Sequence, residues 1–209
     1  MRATLPATLT PRKKPRQARS AATLDAIFEA TIQVLLADGM RALTTTRVAE
    51  RAGVSVGTMY QYFPHKQSLI YALNERYLEV LAEKVEESCR AQAGRPVGEM
   101  LEALIETYWR AKTERADVTR ALYKSVVEMD NEALVDAFAR RVDSATTAML
   151  NSAPDASFVD LHAVNLTLVT VIFGTIRNAF ERNLTQQAID ALQVELLAMC
   201  RAYVAVTRR

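Results

Sequence analysis

The sequence is short of the residues that interrupt helices, with six glycines and six prolines among 209 residues. Sheet proteins draw on both for their many turns, so their scarcity favours a helical chain. Histidine is scarcer still, with only His65 and His162, and cysteine is limited to Cys89 and Cys200. Neither type shows metal-ligand or redox spacing, so no metal and no cofactor are expected. There is no Ser-His-Asp order, phosphate loop or dinucleotide glycine pattern. The carboxylate pairs Glu86-Glu87 and Asp130/Glu132 read as solvated helix charge, so the chain is not expected to be an enzyme. No apolar segment of signal-peptide type follows the basic N-terminus. The longest uncharged run, residues 161–176, is 16 residues long and carries His162, Asn165 and three threonines. It reads as too short and too polar to cross a membrane. These absences point to a reduced cytoplasmic protein with no membrane partner.

What is present is helix-forming and unevenly charged. Ala, Leu, Glu and Arg are abundant, and hydrophobic residues make up 50% of the chain. Residues 1–66 hold ten Lys/Arg against four Asp/Glu, while residues 67–209 hold sixteen against twenty. A basic end on an acidic body implies either a polyanion partner or a solvated basic tail. Residues 1–19 carry six of the cations, three prolines and no acid, and read as a flexible basic arm that either lies along DNA or stays in solvent.

Apolar spacing predicts helices along the rest of the chain. Over residues 21–37, Leu24, Ile27, Phe28, Thr31, Val34 and Leu35 share one face, and Asp38-Gly39 ends the helix with a left-handed cap. A short helix over 45–52 follows, capped by Thr44, with Val48, Ala49 and Ala52 inward. Gly53-Val54-Ser55 breaks the chain, and Ser55 caps a helix over 56–63 that Pro64 terminates. Further helices are expected over 65–90, with Leu69, Leu73, Tyr77, Val80, Leu81 and Val85 on one face, and over 97–115 after Gly94-Arg95-Pro96. Asp117 is read as the cap of a helix to residue 129, and Asp130-Asn131 restarts a helix to residue 150. Residues 158–182 are apolar on more than one side, which predicts a helix buried from two directions. Their stretch NLTLVTVIF also alternates like a strand but has no sheet partner.

The helix over 186–206 repeats Ile189, Leu192, Leu196, Met199, Tyr203 and Val206 at 3-4-3-4-3 spacing, a heptad seam. Leu197, Cys200 and Val204 add a second stripe. Two stripes need two partners, either the chain's own domain and a second copy, or two faces of one monomer.

Two short helices joined by a glycine turn beside a basic arm make a helix-turn-helix. Its second helix must be polar outward to enter the major groove. Met59 and Phe63 are read as inward, and Ser55, Thr58, Gln61 and Tyr62 as outward. Gly57 costs the helix about 1 kcal/mol against Ala, which makes sense where a phosphate approaches the backbone closely. Lys66 adds a cation at a helix start.

The run TTTRVAERAGVSVGTMYQYFPHKQSLIYAL resembles the DNA-binding region of the TetR family of bacterial regulators. The match rests on the Thr-led second helix, Ala49, the AGVS turn, Gly57-Thr58, Tyr60, Tyr62-Phe63, Lys66 and Leu69, with Ile27, Ala30 and Gly39 before them. It covers residues 20–75. The resemblance implies an all-α fold of about nine helices: a three-helix DNA-binding unit over 20–66, then a helical effector-binding and dimerisation domain over 67–209. It implies DNA contacts from Thr45 and Thr46, groove contacts from Ser55, Val56, Thr58 and Gln61, and phosphate contacts from Tyr60, Tyr62 and Lys66. Val56 either meets a thymine methyl or reduces readout; Gln61 reads adenine or holds a phosphate; Arg47 reaches a phosphate or is solvated.

The resemblance further implies a homodimer on a pseudo-palindromic double-stranded operator, repression, and release by a small apolar or aromatic effector. Control by a protein partner or by dosage is the alternative. The expected dimer residues are Phe158, Leu161 and Leu168, then Ile189, Leu192, Leu196, Met199 and Tyr203. Expected effector contacts are Tyr77, Leu104, Tyr108, Trp109 and Tyr123, with Val127, Met129, Phe138, Phe173 and Ile176. Each of these ten is equally readable as core packing.

Overall fold

A computed structural model of the chain describes residues 18–127, 131–182 and 184–209, with backbone alone for residues 18–19 and 123–127. The basic arm expected over residues 1–19 therefore lies outside the residues whose side chains are described. Among the described residues there are nine α-helices and no strand beyond one isolated bridge, Phe158 to Arg208. They are α1 (Ala18–Ala42), α2 (Thr45–Ala52), α3 (Val56–Tyr62), α4 (Lys66–Gln92), α5 (Val97–Thr113), α6 (Ala116–Val127), α7 (Glu132–Asn151), α8 (Leu161–Glu181) and α9 (Gln186–Thr207). The alternating stretch in α8 is helical throughout. Its isolated pattern had no second strand to satisfy its backbone, whereas a helix satisfies its own.

The residues fall into two compact units. One joins the chain up to Tyr77 with Asp117–Val135; the other joins Leu78–Ala116 with Asp136–Arg209. The first unit is built on the apolar face of α1. Ile27, Phe28, Thr31, Val34 and Leu35 are all buried. Val48, Ala49, Met59 and Phe63 from α2 and α3 join them, with Leu69 and Leu73 from α4. Val118 and Leu122 of α6 complete this core. The Phe28 and Phe63 rings pack at 5.9 Å, and the Arg76 guanidinium covers Phe28 while pairing with Asp25.

Several expected boundaries shift. The first helix continues to Ala42, broken internally at Gly39 (φ 75°, ψ 177°). The positive φ explains the glycine, but the ψ is not that of a left-handed cap. Asp117 lies in the first turn of α6, which opens at Ala116, so it is no cap. Val80 is exposed, off the buried face of α4.

In the second unit, α5 packs on α8 and α9. Asp155 accepts from the Val97 N–H at 2.8 Å, fastening the start of α5, and Arg201 of α9 pairs with Glu102 at 2.9 Å. The uncharged run read as too short for a membrane extends into a 21-residue helix. By length and composition alone, Ser20–Ala42 and Leu161–Glu181 are both long and apolar enough to cross a bilayer. Each also buries a face in its own unit, as core helices do.

Candidate nucleic-acid interface

The α2–turn–α3 segment is fixed by its caps. Thr44 Oγ1 accepts from the Arg47 N–H at 3.2 Å. Gly53 adopts the left-handed region (φ 67°, ψ 27°), and its N–H reaches the Ala49 and Glu50 carbonyls. Only a residue without Cβ takes that conformation at little cost. Ser55 Oγ accepts from the Thr58 N–H at 3.0 Å, and the two hydroxyls lie 2.9 Å apart. These contacts set α3 as a separate seven-residue rod with Met59 fully buried beneath it.

The outer face of α3 carries Val56 and Tyr60, 39% and 45% exposed, with Gln61 and Gly57 beside them. Gly57 has no internal reason to be glycine. A Cβ there would meet only Ser55 Oγ, at 3.7 Å, which is ordinary contact. Thr46 is exposed at the start of α2. Lys66 opens α4, whose first turn is held by His65: its Nδ1 accepts from the Ser68 N–H at 3.2 Å, and Ser68 Oγ donates to the His65 carbonyl at 2.7 Å. Sequence reasoning missed this cap, because histidine is outside the usual set of capping residues.

Two expectations are corrected. Tyr62 does not face outward. It is 5% exposed, packs on Phe63, and its hydroxyl lies 3.1 Å from that of Ser20. Position 62 is three residues beyond Met59, so helical periodicity itself turns it inward. Thr45 is buried for the same reason, sitting three and four residues before Val48 and Ala49. Arg47 stays exposed at the surface, where it pairs with Asp38 at 3.2 Å and donates to the Ala42 carbonyl at 3.2 Å.

In the second unit three of the aromatic residues expected at an effector site pack on one another, Tyr108 buried and Phe138 and Phe173 half-buried. Tyr108 and Phe173 stack at 3.7 Å with planes 4° apart, and Phe138 tilts onto Phe173 at 5.9 Å. Leu104, Trp109 and Ile176 are buried. Tyr77 belongs to the first unit, its hydroxyl 2.9 Å from that of Thr119. Burial raises its pKa, against a smaller opposing effect of that hydrogen bond. The side chains of Tyr123 and Val127, and residue Met129, lie outside the described residues. Two grooves open on this unit, one of about 640 Å³ between α4 and α7 and one of about 790 Å³ between α4 and α5. None of the ten expected effector residues lines either.

Sequence reasoning also missed Lys112. It is 2% exposed, with its ammonium 5.3 Å from the centre of the Tyr108 ring. Burial pulls its pKa down to about 7, and the charge of Arg177 adds to the effect. The signal was available: Lys112 continues the buried Leu101, Leu104, Tyr108 stripe of α5.

Of the expected dimer residues, Leu168, Ile189 and Leu196 are buried within the chain and cannot belong to an outer face. Phe158, Leu161, Leu192 and Tyr203 are half-buried, and Met199 is 50% exposed. Leu166, Val194 and Val206 are exposed apolar residues of α8 and α9 outside that expected set.

Comparison with known proteins gives this geometry a family context. Residues 27–73 match the family model described as bacterial regulatory proteins, tetR family, and residues 96–203 match that of the tetracyclin repressor-like C-terminal domain. The nucleoid occlusion factor SlmA of Haemophilus ducreyi is 30% identical over 109 residues, 52% of this chain and 53% of that protein. The transcriptional repressor KstR of Mycobacterium tuberculosis is 31% identical over 131 residues, 61% of this chain and 59% of that protein. The chain thus matches little more than half the length of these curated relatives. The crystal structure of a TetR-family transcriptional regulator from Streptomyces coelicolor is similar over 88% of this chain and 99% of that one, with TM-score 0.61 and 26% identity.

Proposed function

The chain belongs to the TetR family of bacterial regulatory proteins, and from that premise we propose that it binds double-stranded operator DNA as a homodimer and represses transcription. The observation that carries the DNA reading is the outer face of α3. It holds Val56, Tyr60 and Gln61 outward beside a glycine whose Cβ would meet nothing within the chain but Ser55 Oγ, leaving room for a close neighbour outside it. Lys66 at the start of α4 adds a cation where backbone N–H groups are still unused. Val56 and Gln61 suit base edges, and Tyr60 and Lys66 suit phosphates.

The homodimer reading rests on α8 and α9. Leu166, Val194, Met199 and Val206 are open on helices whose other faces are buried. A pair of such chains would read two half-sites in a pseudo-palindrome. The repressor reading draws on KstR, named a transcriptional repressor. Release by a small effector bound in the second unit is part of the same proposal.

The test begins with operators selected from a genomic DNA library by purified protein. On such a duplex, Tyr60→Phe combined with Lys66→Ala should weaken binding and lower the salt dependence of log K by about one counterion. If affinity and salt slope both stay at wild-type values, the phosphate contacts are misassigned.

A further inference from the structure

We propose that the groove between α4 and α7 is the effector site, and that it takes an amphiphile with an apolar chain and a carboxylate head. This rests on the reading of the chain as an effector-released regulator, and relocates the site from the aromatic core to a surface the sequence did not indicate.

The groove's size suits a small ligand, since about 640 Å³ lies within the usual range of ligand pockets. Its floor is apolar and smooth. Ala93, in the turn after α4, and Ala137, Ala145 and Ala148 of α7 leave the space open, over the buried Cys89 and Met149. Burial pushes the Cys89 thiol up to about 11, so this floor carries no charge at neutral pH.

Three of the four charged groups that line it, Glu86, Arg140 and Arg141, gather toward one end, with Arg90 a turn further along α4. Glu86 pairs with Arg141, and further along the Gly94 N–H donates to Ser152 Oγ. These two pairings mean that α4 and α7 run in the same direction. Arg140 and Arg141 therefore sit toward the Glu86 end, while Ala93, Ala148 and Met149 form the other.

Arg141 already shows the chemistry: it grips the Glu86 carboxylate through two bonds, Nε to Oε1 at 2.7 Å and Nη2 to Oε2 at 2.9 Å. Glu79 and Glu83 also act electrostatically on Arg141, but neither lines the groove. Arg90 and Arg140 do line it, both exposed, and among the described residues neither has an ion-pair partner. Arg90 acts electrostatically on Glu86, and a ligand carboxylate would meet in the Arg90 and Arg140 guanidiniums the same kind of donor that Glu86 finds in Arg141. From Arg140 to Met149 the groove runs about 14 Å along α7, enough for a medium-length chain. An extended peptide is the poorer occupant, because two helix faces offer no free backbone groups to pair with it.

Decanoate is the probe, with decanol as its uncharged twin, titrated calorimetrically into the full-length protein. Decanoate should bind, and the combined Arg90→Gln and Arg140→Gln variant should bind it roughly tenfold or more weakly. Decanol should not distinguish the two proteins, and Ala145→Phe, which fills the floor, should abolish binding of both. Both variants should keep the wild-type circular dichroism spectrum and melting temperature. Absence of decanoate binding, indifference to both variants, or binding of acidic peptides alone overturns the proposal.

Operator release separates this inference from the reading beneath it. If decanoate binds with the expected arginine dependence but leaves operator affinity unchanged, the ligand site stands and effector release fails. If an extract of small metabolites releases wild type and both variants equally, effector release stands and the groove is wrong.

Discussion

Replacing Lys112 with methionine should change how stability depends on pH. The side chain lies in the core of the second unit, beside the Tyr108–Phe173 stack. Its ammonium is held at about 7, well below the ordinary lysine value, chiefly by burial. A lysine depressed in the folded state binds its proton more weakly there than in the unfolded chain. Between pH 7 and the ordinary value near 10.4 the unfolded chain therefore holds more protons, and stability rises with pH. The limiting slope is about 1.4 kcal/mol per pH unit, and from pH 7 to pH 9 the gain is about 2 kcal/mol. Cys89 and Cys200 act in the opposite sense. Burial raises both thiols to about 11, so their contribution is complete below the ordinary value near 9 and is lost as pH climbs through 11. By pH 9 that loss has only begun, so Lys112 dominates the window. The assay is urea unfolding at pH 7, 8 and 9 at one fixed protein concentration, since a dimer's stability depends on it. Wild type should gain stability across the series. Lys112→Met should be more stable at pH 7 and lose slightly toward pH 9. Parallel pH profiles for the two proteins would show that the buried ammonium does not govern this window.

Gly57→Ala should separate stability from DNA binding. The added methyl meets only Ser55 Oγ at ordinary distance, so α3 should gain up to about 1 kcal/mol in denaturant unfolding. Operator affinity should fall, because the methyl occupies space the DNA backbone needs; unchanged or improved affinity would remove Gly57 from the interface. Met199→Glu should place a carboxylate on each side of the proposed dimer seam. Sedimentation should then show monomer with unchanged helix content, while a dimer of wild-type affinity would place the interface elsewhere.

What the sequence made legible was mainly local. The caps of α2 and α3, the break at Gly53 and the inward Met59 and Phe63 each follow from a few neighbouring residues and recur in the structure, whereas the left-handed cap expected at Gly39 is found at Gly53. Tyr62 and Thr45 were misread by letting side-chain polarity outrank position. Both sit at i+3 or i−3 of a buried residue, and a hydroxyl is no obstacle where, as for Tyr62, another hydroxyl lies within 3.1 Å. The effector set stayed open between cavity and core for a different reason. Aromatic residues on helical faces look the same whether they line a cavity or fill a core, and here Tyr108, Phe138 and Phe173 fill one another's space. The α4–α7 groove left no sequence signal, because its floor is alanine, which helices use everywhere. The seam of α9 was read as one surface, yet Ile189 and Leu196 are buried while Met199 and Val206 are open. Hydrophobicity reports that a face will be covered without reporting by which chain.

The division of the chain also bears on how the second unit could act on the first. The chain passes between the two units at residues 77–78, 116–117 and 135–136. The first crossing lies well inside α4, the third inside α7, and the second in the first turn of α6. None is a flexible loop. A helix holds its dihedrals cooperatively, so displacing one end carries the other with it or breaks hydrogen bonds. α6 adds a second consequence, since its Val118 and Leu122 belong to the same core as Val48, Met59 and Leu69. Under the proposed function, a ligand that altered the placement of α4 at the groove would pull on the helix whose Leu69 and Leu73 share the core of α2 and α3. Two arrangements differing by a few kcal/mol would then suffice to shift the reading heads between binding and release.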